Sequence, residues 1–103
     1  MPDPLERPDL WVVARLLEAL TEGGNRMKRT PLQMATGVNY TVFTRYLSWM
    51  TLRGLVEVTP ASDGASWVTL TPRGAAAYRY LREGIDRLVG SPRSEPRRDP
   101  RLP

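Results

Sequence analysis

The stretch "TPLQMATGVNYTVFTRYLSWMTLRG", residues 30–54, holds two helix-length segments with about three residues between them, and few arrangements of a chain satisfy that spacing. Thr30 ahead of Pro31 is an N-cap followed by proline at the first helical position, which predicts a short helix over 31–36. Gly37 ends it, and Asn39 is placed to cap the next helix. In the second segment Phe43, Tyr46, Leu47 and Met50 recur at the three-to-four spacing of a buried stripe, predicting a helix to about Arg53 that Gly54 terminates. The layout is that of a helix-turn-helix.

The flanking sequence supplies the remaining elements. Asp9 can cap a helix beginning near Leu10, with Val13, Leu16, Leu17 and Leu20 on its buried stripe and Gly23-Gly24 as its stop. After Gly54 the period changes from helical to alternating. "LVEVTP" and "SWVTLT" read as paired strands, and "ASDG" between them as their turn. Thr71-Pro72 repeats the cap-then-proline start and opens a closing helix of about 18 residues, ~27 Å long. Residues 1–9 are expected to be an irregular arm, 10–89 one domain, and the proline- and arginine-bearing segment 90–103 disordered, as it has almost nothing to bury.

Composition narrows the function. Neither cysteine nor histidine occurs in the 103 residues, which removes disulfides, thiolate metal sites and a Cys nucleophile, together with the commonest general base and zinc ligands. No enzyme, cofactor or metal site is expected. The first ten residues are acidic and proline-bearing rather than signal-like, and no apolar run approaches the roughly 20 residues of a membrane helix, so a cytoplasmic, nucleoid-associated protein is expected. Fifteen Lys and Arg against 11 acids give a net charge of +4 and favour an anionic partner. All but one of the 15 are arginine, which suits bidentate phosphate or guanine contacts but follows equally from a GC-rich genome.

Where the charges lie is more informative than their sum. From Gly23 to Val56 there are five bases, Arg26, Lys28, Arg29, Arg45 and Arg53, and no acid, whereas residues 1–22 carry five acids against two bases. An acid on a helix that enters a groove would repel phosphate, so this stretch meets the condition for groove entry. Turning Phe43, Tyr46, Leu47 and Met50 inward leaves Tyr40, Thr41, Thr44, Arg45 and Ser48 outward, a set of hydroxyls and one guanidinium suited to phosphates and base edges.

Three short motifs, "TPLQMATGVNY", "YLSWMTLRGLV" and "LTPRG", occur in order, and across about residues 10–89 the chain closely resembles small archaeal winged-helix proteins of the transcriptional-regulator type. The fold implied is mainly α with a small β-hairpin: a winged helix-turn-helix with a three-helix core, a two-stranded wing and a long C-terminal helix. The resemblance further implies double-stranded DNA as partner, a recognition helix over about 40–53 in the major groove, a wing on the backbone or minor groove, and often a dimer through the last helix.

The residues expected to meet DNA are Arg26, Lys28, Arg29, Thr30, Gln33, Asn39, Tyr40, Thr41, Thr44, Arg45, Ser48 and Arg73. The wing tip "ASDGAS" has no base and one acid, so most affinity should come from helix and loop. Arg53, beside Gly54, is better placed to offset the helix dipole, and Trp49 and Trp67 to pack on the core or hairpin. Tyr78, Leu81, Ile85 and Leu88 form the stripe of the last helix, which can pack on the first helix, join two copies as a homodimer, or do both along its length. Two other readings stay open: a chromatin-type protein that coats DNA with little sequence preference, and a protein-interaction module, for which Val42 and Trp49 would have to form an exposed apolar patch.

Overall fold

The computed structural model describes residues 7–89, in the order α1 (Leu10–Glu22), β1 (Arg26–Lys28), α2 (Arg29–Thr36), α3 (Tyr40–Leu52), β2 (Val56–Pro60), β3 (Ser66–Leu70) and α4 (Pro72–Val89). The arm over 1–6 and the tail over 90–103 lie outside the described residues. Each helix of the expected set is present, and the two stripes on which α1 and α3 were placed are the buried ones: Val13, Leu16, Leu17 and Leu20 from the first, Phe43, Tyr46, Leu47 and Met50 from the second. With Leu32, Leu55, Val56, Val68 and Leu70 they make one continuous core. Polar bonds fix how the helices enter it. The Asp9 carboxylate accepts from the Trp11 amide at 2.9 Å and caps α1, while the Asp9 amide donates to the Tyr46 hydroxyl at 2.8 Å and ties the start of α1 to the middle of α3.

The turn between α2 and α3 is held from both sides. Gly37 adopts φ 73°, the left-handed conformation that costs a residue without Cβ nothing, and its amide donates to the Gln33 carbonyl at 3.2 Å. Asn39 caps α3 through a 2.9 Å bond from the Val42 amide. Behind the turn, the Arg15 guanidinium donates to the Thr36 carbonyl at 3.1 Å, satisfying an acceptor that the end of α2 leaves open.

One expectation is corrected, and one element is added. The helix placed over 31–36 begins at Arg29, with Lys28 as its N-cap and no side-chain capping bond, so Thr30 is an exposed residue of the first turn and not the cap. Pro31 is still within the first turn, where its missing N–H has no intrahelical partner to lose. The expected two-stranded wing is present as β2 and β3, and the sheet it belongs to is larger than expected. A third, antiparallel strand, β1, lies beside β3, giving the order β1-β3-β2. This pairing delivers the chain into α2 directly from a strand, which is why the helix starts early. Its register puts Met27, Val68 and Val58 in one row, with Arg26-Thr69-Glu57 and Lys28-Trp67-Thr59 in the rows on either side, so adjacent rows point to opposite faces of the sheet.

α4 starts where the sheet ends, with the Gly74 amide donating to the Thr71 hydroxyl at 2.9 Å. Gly74 is buried, and a Cβ added there would stand 2.1 Å from the Leu55 carbonyl oxygen and 2.7 Å from Leu70 Cδ1. That carbonyl cannot retreat freely, since it accepts from the Thr71 amide at 3.1 Å and from the Thr71 hydroxyl at 3.0 Å. Gly74→Ala is therefore expected to destabilise the fold by about 1–3 kcal/mol or more, read as a lowered denaturant midpoint. A midpoint equal to the parent's would contradict the close approach of α4 to the loop before β2.

Candidate nucleic-acid interface

With α3 rotated by its buried stripe, Tyr40, Thr41, Arg45 and Ser48 are exposed, Tyr40 to 62%. At about 100° per residue, Thr41, Arg45, Ser48 and also Leu52 fall on one line opposite the stripe, and Leu52 is 78% exposed. Thr44 is a correction. It stands about 110° from the centre of the stripe, at the edge of the outward face, and its hydroxyl oxygen is buried without a hydrogen-bond partner. On the opposite edge Trp49 is half-buried against the core, its indole N–H also buried without a partner, and the Arg53 guanidinium lies 5.2 Å from its ring centroid. Val42 packs on the core as well. The two residues that would have formed an apolar docking patch on α3 are thus half-buried in the fold.

Around this face the expected residues divide. Arg29, half-buried at the start of α2, lines an open groove of about 460 Å³ with Leu47, Ser48, Thr51, Leu52 and Val58, between α3 and β2. Gln33 and Asn39 are occupied by the turn: the Gln33 amide nitrogen donates to the Val38 carbonyl at 3.4 Å, and Asn39 caps α3. Arg73 is exposed on α4, its Cδ beside Gly54 at the end of α3. Arg26 and Lys28 belong to β1 and lie over Trp67, the guanidinium 3.9 Å and the ammonium 5.4 Å from the ring centroid. The Lys28 ammonium also pairs with the Asp63 carboxylate at the wing tip. That hydrogen bond, followed by one from the Ala65 amide, holds the Asp63 carboxyl below its ordinary titration range.

The stripe of α4 changes character along its length. Tyr78 and Leu81 pack on the core, Ile85 is half-buried, and Leu88 is 87% exposed. The last turns of α4 meet the first turn of α1 in an apolar groove lined by Leu10, Trp11, Tyr80, Leu81, Gly84, Ile85 and Leu88. Leu10, Trp11, Tyr80 and Gly84 were not anticipated, because the first two precede the periodic stripe of α1 and the others lie off that of α4. Thr51, Leu52 and Val58 were missed in the α3 groove. Leu52 was legible from the line Thr41-Arg45-Ser48, but Val58 reaches the groove only through the packing of β2 on α3.

Three helices with a reversed pair joined by a tight turn, followed by a hairpin and a third strand donated from between the first two helices, settle the architecture. The fold is a winged helix. Solved structures with it include F93 from STIV, a winged-helix DNA-binding protein, at TM-score 0.74 and 17% identity over 81% of this chain and 96% of that one. Sso10a-2, a DNA-binding protein from Sulfolobus solfataricus, gives TM-score 0.70 at 18% identity over 80% of this chain and 82% of its own. The PcaV transcriptional regulator from Streptomyces coelicolor gives 0.70 at 22% identity over 75% of this chain, which spans only 57% of PcaV. No family model and no curated protein sequence matches the chain, so its likeness to winged-helix regulators is one of fold. None of the described helices is long and apolar enough to cross a membrane.

The correction at Thr44 has a direct test. Thr44→Val replaces a buried, unpartnered hydroxyl by a methyl of similar size and is expected to raise stability by about 1 kcal/mol in a denaturant titration. A loss of similar size would mean that the hydroxyl has a partner and belongs to the exposed set after all.

Proposed function

We propose that this winged helix is a double-stranded DNA-binding transcriptional regulator that sets α3 in the major groove and acts as a homodimer through α4. The observation that carries the reading is the outward line of α3: exposed Tyr40, Thr41, Arg45 and Ser48, with Arg29 across the groove, in a stretch that holds no acid from Gly23 to Val56. Hydroxyls and a guanidinium on one helix face match the donors and acceptors of base edges and phosphates. Arg45 is the residue assigned to base reading and Arg29 to phosphate. Structural neighbours whose names state DNA binding support the reading at the level of fold.

A second reading within the same chemistry is supported by the names of two neighbours, F93 and Sso10a-2, which state DNA binding and not regulation. This chain covers nearly all of F93 and most of Sso10a-2, but little more than half of PcaV. A small protein that coats DNA with little sequence preference would present the same face. Mobility shift on a duplex from its own upstream region and on scrambled DNA, at two salt concentrations, separates the two. A regulator keeps a preference at the higher salt, a coating protein shows equal affinity with a steep slope, and no binding even at low salt would sink both in favour of protein docking. Arg29 and Arg45, as cationic contacts, should contribute about −2 per protomer to the slope of log affinity against log salt. Arg45→Ala should cost about 1–3 kcal/mol on the preferred duplex and less on scrambled DNA.

For the dimer, the supporting observation is the exposed apolar end of α4. Tyr80 and Leu88 are 80% and 87% exposed in the groove they line with Leu10 and Trp11, and Val89, the last residue of α4, is 62% exposed, a concentration of apolar surface that a second copy would cover. Sedimentation equilibrium should return twice the 11.6 kDa chain mass. The Tyr80→Glu, Leu88→Glu double variant should return the single mass with its helical content intact; a parent that sediments as a monomer at binding concentrations refutes the assignment.

A further inference from the structure

The only lysine of the chain stands in a place that an arginine-rich sequence does not explain by composition. Lys28 is the last residue of β1, opposite Trp67 in the sheet register, and its ammonium is held by two different groups: the face of Trp67 and the Oδ2 atom of Asp63. Asp63 is the only charged residue of the wing tip. Its other oxygen, Oδ1, accepts from the Ala65 amide at 3.0 Å, so one carboxylate both shapes the tip and holds the ammonium. Arg26, stacked at 3.9 Å from the Trp67 centroid, occupies the same ring and sits in the neighbouring outward row of the sheet.

We propose that Asp63 is an internal stand-in for a DNA phosphate: its carboxylate occupies the Lys28 ammonium in the free protein, and the duplex backbone displaces it. The inference rests on the duplex reading above and adds an affinity-setting contact to it. Both partners are solvent-accessible, with side chains 35% and 52% exposed, and an ion pair in water is weakly held, so another anion can take its place without unfolding anything. An exposed aspartate is ionised at neutral pH, so the competitor is charged there, and the hydrogen bond from Lys28 lowers its titration further. A wing tip with one unmasked carboxylate would repel the backbone it approaches; a tip whose carboxylate is masked by Lys28 does not. The same pair therefore lets the wing come near DNA and withholds one cation from it.

Asp63→Asn tests the displacement without disturbing the turn, because the amide oxygen preserves the acceptor for Ala65 and the side chain keeps its size. It removes the tip charge and releases Lys28. The Lys28–phosphate contact forms in both proteins, so the slope of log affinity against log salt stays the same, and the variant gains about two- to fivefold in affinity because no exposed ion pair has to be broken first. Lys28→Gln should bind more weakly than the parent with a slope shallower by about 0.9, and Asp63→Asn placed in the Lys28→Gln background should lose its gain in affinity. Selective isotope labelling of lysine gives one side-chain signal to follow. That signal should shift in the parent on adding duplex, and in Asp63→Asn without it.

Equal affinity of the parent and a folded Asp63→Asn, weaker binding by the variant, or a slope steeper in the variant than in the parent would overturn the proposal while leaving the duplex reading in place. Asp63→Ser, which keeps an oxygen acceptor for the turn, gives the same test if the asparagine variant does not fold. A parent that binds no duplex at low salt overturns the duplex reading, and this proposal with it.

Discussion

Everything the outer surface of α3 can do is decided by which side of that helix the core takes. Phe43 has no exposed surface and Met50 and Leu47 almost none, so each contributes on the order of 1.5–3 kcal/mol by leaving water, and rotating the helix by one residue would exchange Phe43 or Leu47 for Thr44 or Ser48 in the core. Burying the Ser48 hydroxyl without a partner would add a penalty to the lost apolar burial; that of Thr44 is buried already. The Tyr46 hydroxyl sharpens the choice, because its bond from the Asp9 amide is available only at one rotation and one height along α1. The Thr41-Arg45-Ser48-Leu52 line is exposed as the complement of that packing.

This dependence explains what could be read from the sequence. The stripes of α1 and α3, the Asp9 and Asn39 caps, Gly37 and the alternation of the hairpin are local or periodic signals, and they carried the architecture. β1 had no such signal. Three residues, two of them charged, do not make an alternating pattern, and the partner strand lies some 40 positions along the chain, with Arg26 opposite Thr69. Its existence is decided by what β3 needs on its open edge, which only the assembled fold specifies. The start of α2 failed for the same reason, since Thr30-Pro31 is a good local signal overruled by a strand that hands the chain over two residues earlier.

The site was legible to the same extent as the packing that produces it. A position diametrically opposite the stripe, such as Arg45, is exposed under any small error in helix rotation, whereas Thr44 and Trp49 sit at the two edges, where a neighbouring element decides. In both, a polar atom ends up buried without a partner. A count of basic residues also does not show how each one is engaged. Arg26, Lys28 and Arg53 have bases' charges, but the sheet and α3 engage them with Trp67, Asp63 and Trp49, and a cation stacked on an aromatic ring is partly spent within the fold.

The placement of those tryptophans suggests how a chain this small keeps its basic residues close together without losing stability. Arg26 and Lys28 are two residues apart on one strand and therefore on the same face, and Arg29 follows at once, so three like charges stand within one short stretch. Left to water alone they would repel one another and favour an open β1 edge, since a three-residue strand has few backbone bonds to resist with. Trp67 offers its face to two of them and Asp63 a carboxylate to one, while Arg29 is carried off by α2 toward the α3 groove. The strand that the sequence concealed is thus also the element that sorts the cations. Two are held on the outer face of the sheet and one is turned to the helix that faces outward.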